Sequence, residues 1–279
     1  MNGKLYLCAT PIGNLGDITY RCVEVLQGVD LIAAEDTRRT LGLLNHLNIE
    51  KPLTSYYEHN RREKGEFLVN EMKNGKNIAL VSDAGTPAIS DPGEDLVLLC
   101  AENGIDVVPV PGAVAGINAL IASGLSTKRF TFEGFLSVNK RSRNEHLKSL
   151  ENEERTMIFY EAPHKLMATL RDMYAAFGDR RITLCREITK IHEEFFRTTF
   201  SGAIARYEEN PPRGEFVLVI EGKSPLAAEE EKMQQWKDMT ISDHVKMYID
   251  RGMAEKDALK ATAKDRGVSK RDIYNEYKR

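Results

Sequence analysis

The chain has 279 residues, with 39 Lys plus Arg against 42 Asp plus Glu and a formal net charge of −3. Bulk attraction to nucleic acid or an anionic membrane is thereby excluded, and any polyanion must be met by a local patch. At 42% hydrophobic and 29% charged residues the composition excludes disordered and collagen-like classes, and the length fits about two domains.

Cys8, Cys22, Cys100 and Cys185 lie far apart with no CxxC spacing, which points to neither a disulfide framework nor a zinc site. No run approaches the ~18 apolar residues of a membrane span. Residues 1–4 lead straight into a strand-like run without the apolar stretch and cleavage site of a signal peptide, so a cytoplasmic location is expected. In chain order, short β-rich runs at 5–9, 31–34, 78–82 and 107–110 alternate with helical patterns such as 61–74 and 94–103. That alternation predicts a mainly parallel sheet covered by helices. A second α/β unit follows, with strands expected at 130–135, 156–160, 181–186, 194–199 and 215–221. The late strands lie close together and alternate in character, which favours an antiparallel part. The boundary falls between 116 and 130, with 118–123 a helical connector.

After Gly222 the pattern changes. An acidic run, Glu229 to Glu231, precedes three short helices expected at 241–250, 254–266 and 270–277, with Ser242 and Ser269 as N-caps and Gly252 and Gly267 as stops. From Thr240 to Arg279 there are ten Lys plus Arg against seven Asp plus Glu. This pattern fits a small helix-turn-helix module or a solvated helical cap.

Three loops follow strands at what should be one sheet edge, where open α/β folds bind ligands. The first, 9–17, is neither GxGxxG nor a P-loop, so triphosphate chemistry is disfavoured. The second, 82–93, and the third, 111–116, are dense in Gly, Pro and small residues that let a ligand approach the main chain.

The strings LYLCATPIGNLGDIT, AAEDTR, VSDAGTPAISDPG, VPGAVAGINAL, FTFEGFL, FYEAPHKL, CREITK and GEFVLVI run in that order from Leu5 to about Glu221. In order and spacing they resemble the RNA-modifying branch of the tetrapyrrole methylase superfamily. TPIGN stands where the wider superfamily has GxGxGD, and SDAGTP where it has GGDP. The resemblance implies an α/β protein of two α/β domains, 1–116 and 117–225, with a cofactor cleft between them, plus a helical module at 226–279. It implies an S-adenosylmethionine-dependent methyltransferase acting on the ribose 2′-hydroxyl of a cytidine in the decoding centre of 16S ribosomal RNA. The partners it implies are that RNA or the small ribosomal subunit and a second copy of the chain, with no membrane and no metal. A precorrin-like small-molecule methyltransferase and a non-catalytic RNA-binding assembly factor are the alternatives.

Carried over by position, the cofactor residues are Pro11 and Ile12 in the first loop and Ser82, Asp83 and Thr86 in the second. Val114 and Ala115 follow in the third, with Tyr160, Glu161 and Ala162 in the second domain. Asp83 reads either as a contact to the cofactor's amino-acid portion or as a helix cap, and Val114 and Ala115 as an apolar wall or ordinary packing. Methyl transfer from a sulfonium asks for alignment of the attacking oxygen and removal of its proton. The base is expected among Glu35, Asp36 and Glu187. Arg38, Arg186 and Lys190 are expected to position phosphate, unless these six form a salt-bridged network between the domains. The basic stretch 139–143 reads either as a solvated loop or as a loop contacting phosphate. His164 and His192 lack the spacing of metal ligands.

Overall fold

The computed structural model describes residues 2–224, 236 and 239–278; the acidic run Glu229 to Glu231 lies outside them. Two compact units result, Met1–Lys148 with Thr156–Glu221, and Ser149–Arg155 with Gly222–Arg279.

The first unit contains two sheets. Strands β1 (Leu5–Cys8), β2 (Leu31–Ala34), β3 (Leu53–Ser55), β4 (Ile78–Val81) and β5 (Val107–Val110) form an all-parallel sheet in the order β3-β2-β4-β1-β5. Central β4 shows why both faces are covered: its side chains alternate, yet all four are buried. Ile78 and Leu80 join the core of α3 (Arg61–Lys73) and α4 (Glu94–Glu102), through Leu68, Met72, Leu96 and Cys100. Ala79 and Val81 face the other way, onto Cys22 and Leu26 of α1 (Tyr20–Gly28) and Leu44 of α2 (Thr37–His46). A strand buried on both faces reads as a continuous apolar run, which is the parallel-sheet signature. The edge strand β3, three half-buried residues, carries no such signal and is absent from the sequence expectation.

The second sheet comprises β6 (Phe130–Phe135), β7 (Thr156–Glu161), β8 (Arg181–Arg186), β9 (Glu194–Thr199) and β10 (Phe216–Ile220), in the order β6-β7-β10-β8-β9. Only β6 and β7 run parallel; β10 is antiparallel to β7 and β8, and β9 to β8. Register lines up Glu161, Phe216, Arg186 and Glu194 along one edge. Helices α6 (Lys140–Ser149), α7 (Pro163–Phe177) and α8 (Phe200–Glu209) complete this half. The connector expected at 118–123 is α5 (Ala115–Ser123), whose Ala119 and Leu120 pack on Ile158, Cys185, Val217 and Val219 of the second sheet. A boundary at 116/117 therefore falls inside the first turn of a helix belonging to the second sheet.

The stretch 139–143 is not a loop but the start of α6. Asn139 accepts the backbone N–H groups of Arg141 and Ser142, the partnering that stabilises a helix start. Arg141 pairs with Glu145, and Arg143 with Asp172 at 2.7 Å.

In the second unit, α9 (Ile241–Asp250), α10 (Glu255–Asp265) and α11 (Lys270–Tyr277) pack around Val245, Ala258, Leu259, Ala263 and Ile273. Ser269 caps α11 as expected, its hydroxyl accepting the Asp272 N–H. The cap of α9 is Thr240, not Ser242: the Thr240 hydroxyl accepts the Asp243 N–H, and Ser242 already lies inside the helix. Gly252 and Gly267 follow the helix ends with φ of 90° and 62°, a left-handed geometry that favours glycine. Among the described residues no helix is long and apolar enough to cross a membrane.

Candidate active site

Parallel order brings the carboxyl ends of β2, β4, β1 and β5 side by side, and the loops there are stitched together. Thr10 and Gly85 exchange two backbone hydrogen bonds of 2.8 and 3.1 Å, joining the first loop to the second. Gly85 makes this possible with φ 86°, and a Cβ there would meet Ile12 at 3.2 Å. The Thr86 hydroxyl donates to the Ala113 carbonyl at 3.1 Å, joining the second loop to the third. The second sheet reaches across through Tyr160, whose hydroxyl accepts the Gly116 N–H at the start of α5 (3.1 Å).

A cleft of about 390 Å³ opens between these edges. Ile12, Val114, Ala115, Ile188, Phe216 and Val217 supply its apolar wall. Its loops are strained. Four of the five non-glycine residues with left-handed φ among the described residues are Ala88, Ser90, Glu187 and Thr189, all on the two loops that flank it. Each costs on the order of 1 kcal/mol, a cost that persists only where the surroundings dictate the geometry.

Of the ten cofactor positions, Ile12, Asp83, Thr86, Val114, Ala115, Tyr160, Glu161 and Ala162 line the cleft. Pro11 and Ser82 do not: Ser82 is buried, its hydroxyl facing the Gly85 carbonyl at 3.3 Å as a brace within the loop. Asp83 is a loop organiser, accepting the Asp36 N–H at 3.0 Å and pairing with Arg39 at 3.1 Å. Glu161 is likewise saturated, with one oxygen accepting the Ala162 N–H (2.8 Å) and the other the Thr169 hydroxyl (2.5 Å).

The six residues proposed for the chemistry divide evenly. Glu35, Glu187 and Lys190 line the cleft; Asp36, Arg38 and Arg186 do not. Asp36 caps α2 and holds the exposed Arg38, whose guanidinium and backbone N–H pull the Asp36 carboxyl down to about 2. Arg186 donates to the Arg213 carbonyl at 2.8 Å and pairs with Glu194 at 3.3 Å. Lys190 bridges Glu187 at 3.0 Å and Glu215 at 2.8 Å. Burial alone would raise the Glu187 carboxyl, but the Glu215 N–H and the Lys190 ammonium outweigh it and hold it below its ordinary value. Glu35 goes the other way, lifted by burial and by the negative charge of Asp83.

Three charged cleft residues escaped the sequence reading: Arg39, Glu215 and Asp91. Burial, reinforced by the charge of Glu35, pushes the Asp91 carboxyl up to about 6. The only sequence signal for it was its membership of the SDAGTPAISDPG string. Among the described residues no group of His, Cys, Asp and Glu is arranged to hold a metal.

Residues 4–203 match the tetrapyrrole (corrin/porphyrin) methylases. A Synechocystis protein described as ribosomal RNA small subunit methyltransferase I is 50% identical over 98% of this chain and 96% of its own length. A Thermotoga maritima protein of the same description is 48% identical over 221 residues, which make up 79% of this chain and 99% of that protein. Among solved structures, a Thermus thermophilus uroporphyrin-III C-methyltransferase complexed with S-adenosylhomocysteine superposes with a TM-score of 0.57 at 15% identity, over 79% of this chain and 98% of that one. This likeness is one of fold.

Proposed function

The chain belongs to the tetrapyrrole methylase family, and from that premise we propose that it is an S-adenosylmethionine-dependent methyltransferase of small-subunit ribosomal RNA. The full-length likeness to the Synechocystis protein carries this reading. The acceptor is the ribose 2′-hydroxyl of a cytidine in the decoding centre of 16S ribosomal RNA, and such a substrate assigns the protein's work to the cytoplasm. The small-molecule alternative draws on solved structures at 15–18% identity, which show the fold alone.

The cleft suits the cofactor. Ile12, Val114 and Ala115 offer an apolar bed to the adenosine, and Glu35 and Asp91 offer negative charge to a cationic centre. When bound, S-adenosylmethionine supplies an electrophilic methyl group. The protein's own task is to align the ribose oxygen and receive its proton. Asp36 and Glu187 are poor acceptors, because their partners stabilise the ionised form. Glu35 and Asp91 are better ones, since a carboxyl raised toward neutrality holds a proton more readily. Lys190 holds the β8–β9 loop in place rather than reaching freely for phosphate.

The protein acts as a homodimer. Ile117 and Ile121 on α5 are exposed, and Ile117 shares an apolar groove with half-exposed Phe130, Phe132 and Ile89, next to the cleft. A contiguous apolar face of this kind fits a second copy better than water. The helices α9 to α11 serve RNA holding rather than methyl transfer, because the cofactor positions all lie upstream of them. In the Thermotoga relative, 221 residues make up 99% of the protein, leaving no length for an extension of this size.

Mapping 2′-O-methyl groups in 16S ribosomal RNA from cells with and without this protein tests the assignment. An unchanged methylation map would overturn it.

A further inference from the structure

Resting on the methyltransferase reading, we propose that the cofactor's positive charge completes the charge balance of the cleft. The site then favours the cationic methyl donor over its neutral product, and binding of the donor drives a proton off Asp91.

The argument starts from partners. The cleft wall carries two cations, and both are already neutralised by the chain: Arg39 by Asp83 at 3.1 Å, and Lys190 by Glu187 and Glu215 at 3.0 and 2.8 Å. Both oxygens of Glu161 are engaged by neutral donors. Two carboxylates remain, Glu35 after β2 and Asp91 in the β4–α4 loop, and neither has an ion-pair partner among the described residues. A half-buried cleft with two carboxylates and no spare cation is complementary to a positively charged ligand.

The groups that face Asp91 come from every neighbouring element. Glu35 approaches from the end of β2, Asp83 from the same loop, and Tyr160 from β7; Ser82 lies beside it and opposes the upward shift, and the Arg39 of α2 is committed to Asp83. Burial first, and the neighbouring carboxylates second, lift Asp91 to about 6. A monocation entering the cleft reverses the second of these effects and compensates the first, so the ionised form becomes the favoured one.

S-adenosylhomocysteine keeps the adenosine, the amino group and the carboxylate of the donor and lacks the sulfonium methyl with its charge. The methyl does not titrate, so the difference in pH dependence between the two ligands isolates the charge. If Asp91 titrates near 6 in the free protein and is ionised in the donor complex, donor affinity rises about tenfold from pH 5 to pH 7, and about half a proton leaves at pH 6. Product affinity stays flat over the same range apart from the groups both ligands share. Asp91 then takes the proton that the ribose oxygen gives up on gaining its methyl group, so a proton arrives at the carboxylate as the positive charge leaves the sulfur.

Titration calorimetry on the whole protein, with each ligand separately, from pH 5 to pH 7.5 and in two buffers of different ionisation enthalpy, reads both quantities. The expected result is a donor-to-product affinity ratio that grows about tenfold between pH 5 and pH 7, with proton release seen only for the donor. Asp91→Asn should flatten the donor's profile while keeping product affinity within about threefold of the parent, which also reports that the variant is folded. Parallel profiles for the two ligands in the parent protein would overturn the proposal and leave the methyltransferase reading standing. A slope that survives in Asp91→Asn but vanishes in Glu35→Gln would overturn the assignment to Asp91. Binding of neither ligand at millimolar concentration would instead remove the reading on which the proposal rests. Should Asp91→Asn bind neither ligand, the parent's two profiles decide.

Discussion

Gly13 lies where the first loop crosses the β8–β9 loop, and replacing it with alanine tests whether that crossing sets the cleft. A Cβ at Gly13 would stand 2.4 Å from the Cγ of Lys190 and 2.9 Å from the Thr189 hydroxyl. Neither neighbour gives way easily. Cγ is the middle of a stem whose ammonium is tied to Glu187 and Glu215, and Thr189 already has a left-handed φ of 66°. Relieving the clash means shifting the stem by about an ångström or moving the loop. The Glu215 carboxylate is mostly exposed, so its share is screened and small. The bond to the better-buried Glu187 is charge-assisted and worth about 1 kcal/mol after allowance for partial exposure. With loop strain added, the loss at the cleft is about 1–2 kcal/mol, which is roughly a tenfold drop in S-adenosylhomocysteine affinity by calorimetry. Gly28→Ala is the control: nothing lies within 4 Å of a Cβ there, and alanine at that helical position should leave affinity unchanged. Combining Gly13→Ala with Lys190→Ala removes the nearest clash, so the double variant should bind better than the sum of the two losses predicts. Parent-like affinity in Gly13→Ala would refute the reasoning, because the loops would then be free to part without consequence.

Asp91→Asn should lower turnover on RNA about 100-fold with S-adenosylhomocysteine affinity retained, whereas Asp36→Ala should lower the melting temperature by removing the α2 cap; steady-state kinetics and thermal unfolding separate the two. Deleting residues 225–279 should weaken RNA binding in a filter or gel-shift assay and leave cofactor affinity nearly unchanged; an equal loss of both would contradict the division of labour. His244, fully buried on α9, accepts from Arg266 at 3.1 Å and faces Asp265 and the ring of Tyr248. Burial first, then Arg266, depresses its pKa below the ordinary 6.5. The unfolded chain therefore takes up the proton first as pH falls, so this contribution is complete above about pH 6.5 and is lost as pH drops through the lower folded value. Chemical denaturation followed by Trp236 fluorescence should show the loss, and His244→Gln should be flatter below pH 6.5.

What could be read from the chain, and what could not, follows from how local each cause is. The buried strands were legible because double-sided burial writes itself as a continuous apolar run, as in Ile78 to Val81. The three-residue β3 was not, since half-burial over three residues has no period to detect. Within AEDTR the composition offers two adjacent carboxylates and cannot choose between them. The choice is made by α2, which claims Asp36 as its cap and leaves Glu35 at the cleft. CREITK divides for a different reason: Arg186 ends β8 in register with Glu194, and the positive φ of Glu187 then turns the chain so that the next carboxylate meets Lys190. Asp91 was hidden because two left-handed residues, Ala88 and Ser90, fold the loop back and bring it to Ser82, nine positions earlier. No periodicity records such a return. A string of conventional letters thus shows that carboxylates are present, while their acidity depends on whichever cation or N–H group the fold has already assigned to each. Asp36 and Glu187 have such partners and are held ionised; among the described residues no cation pairs with Glu35 or Asp91. On the proposed methyltransferase reading the chemistry falls to those two carboxylates.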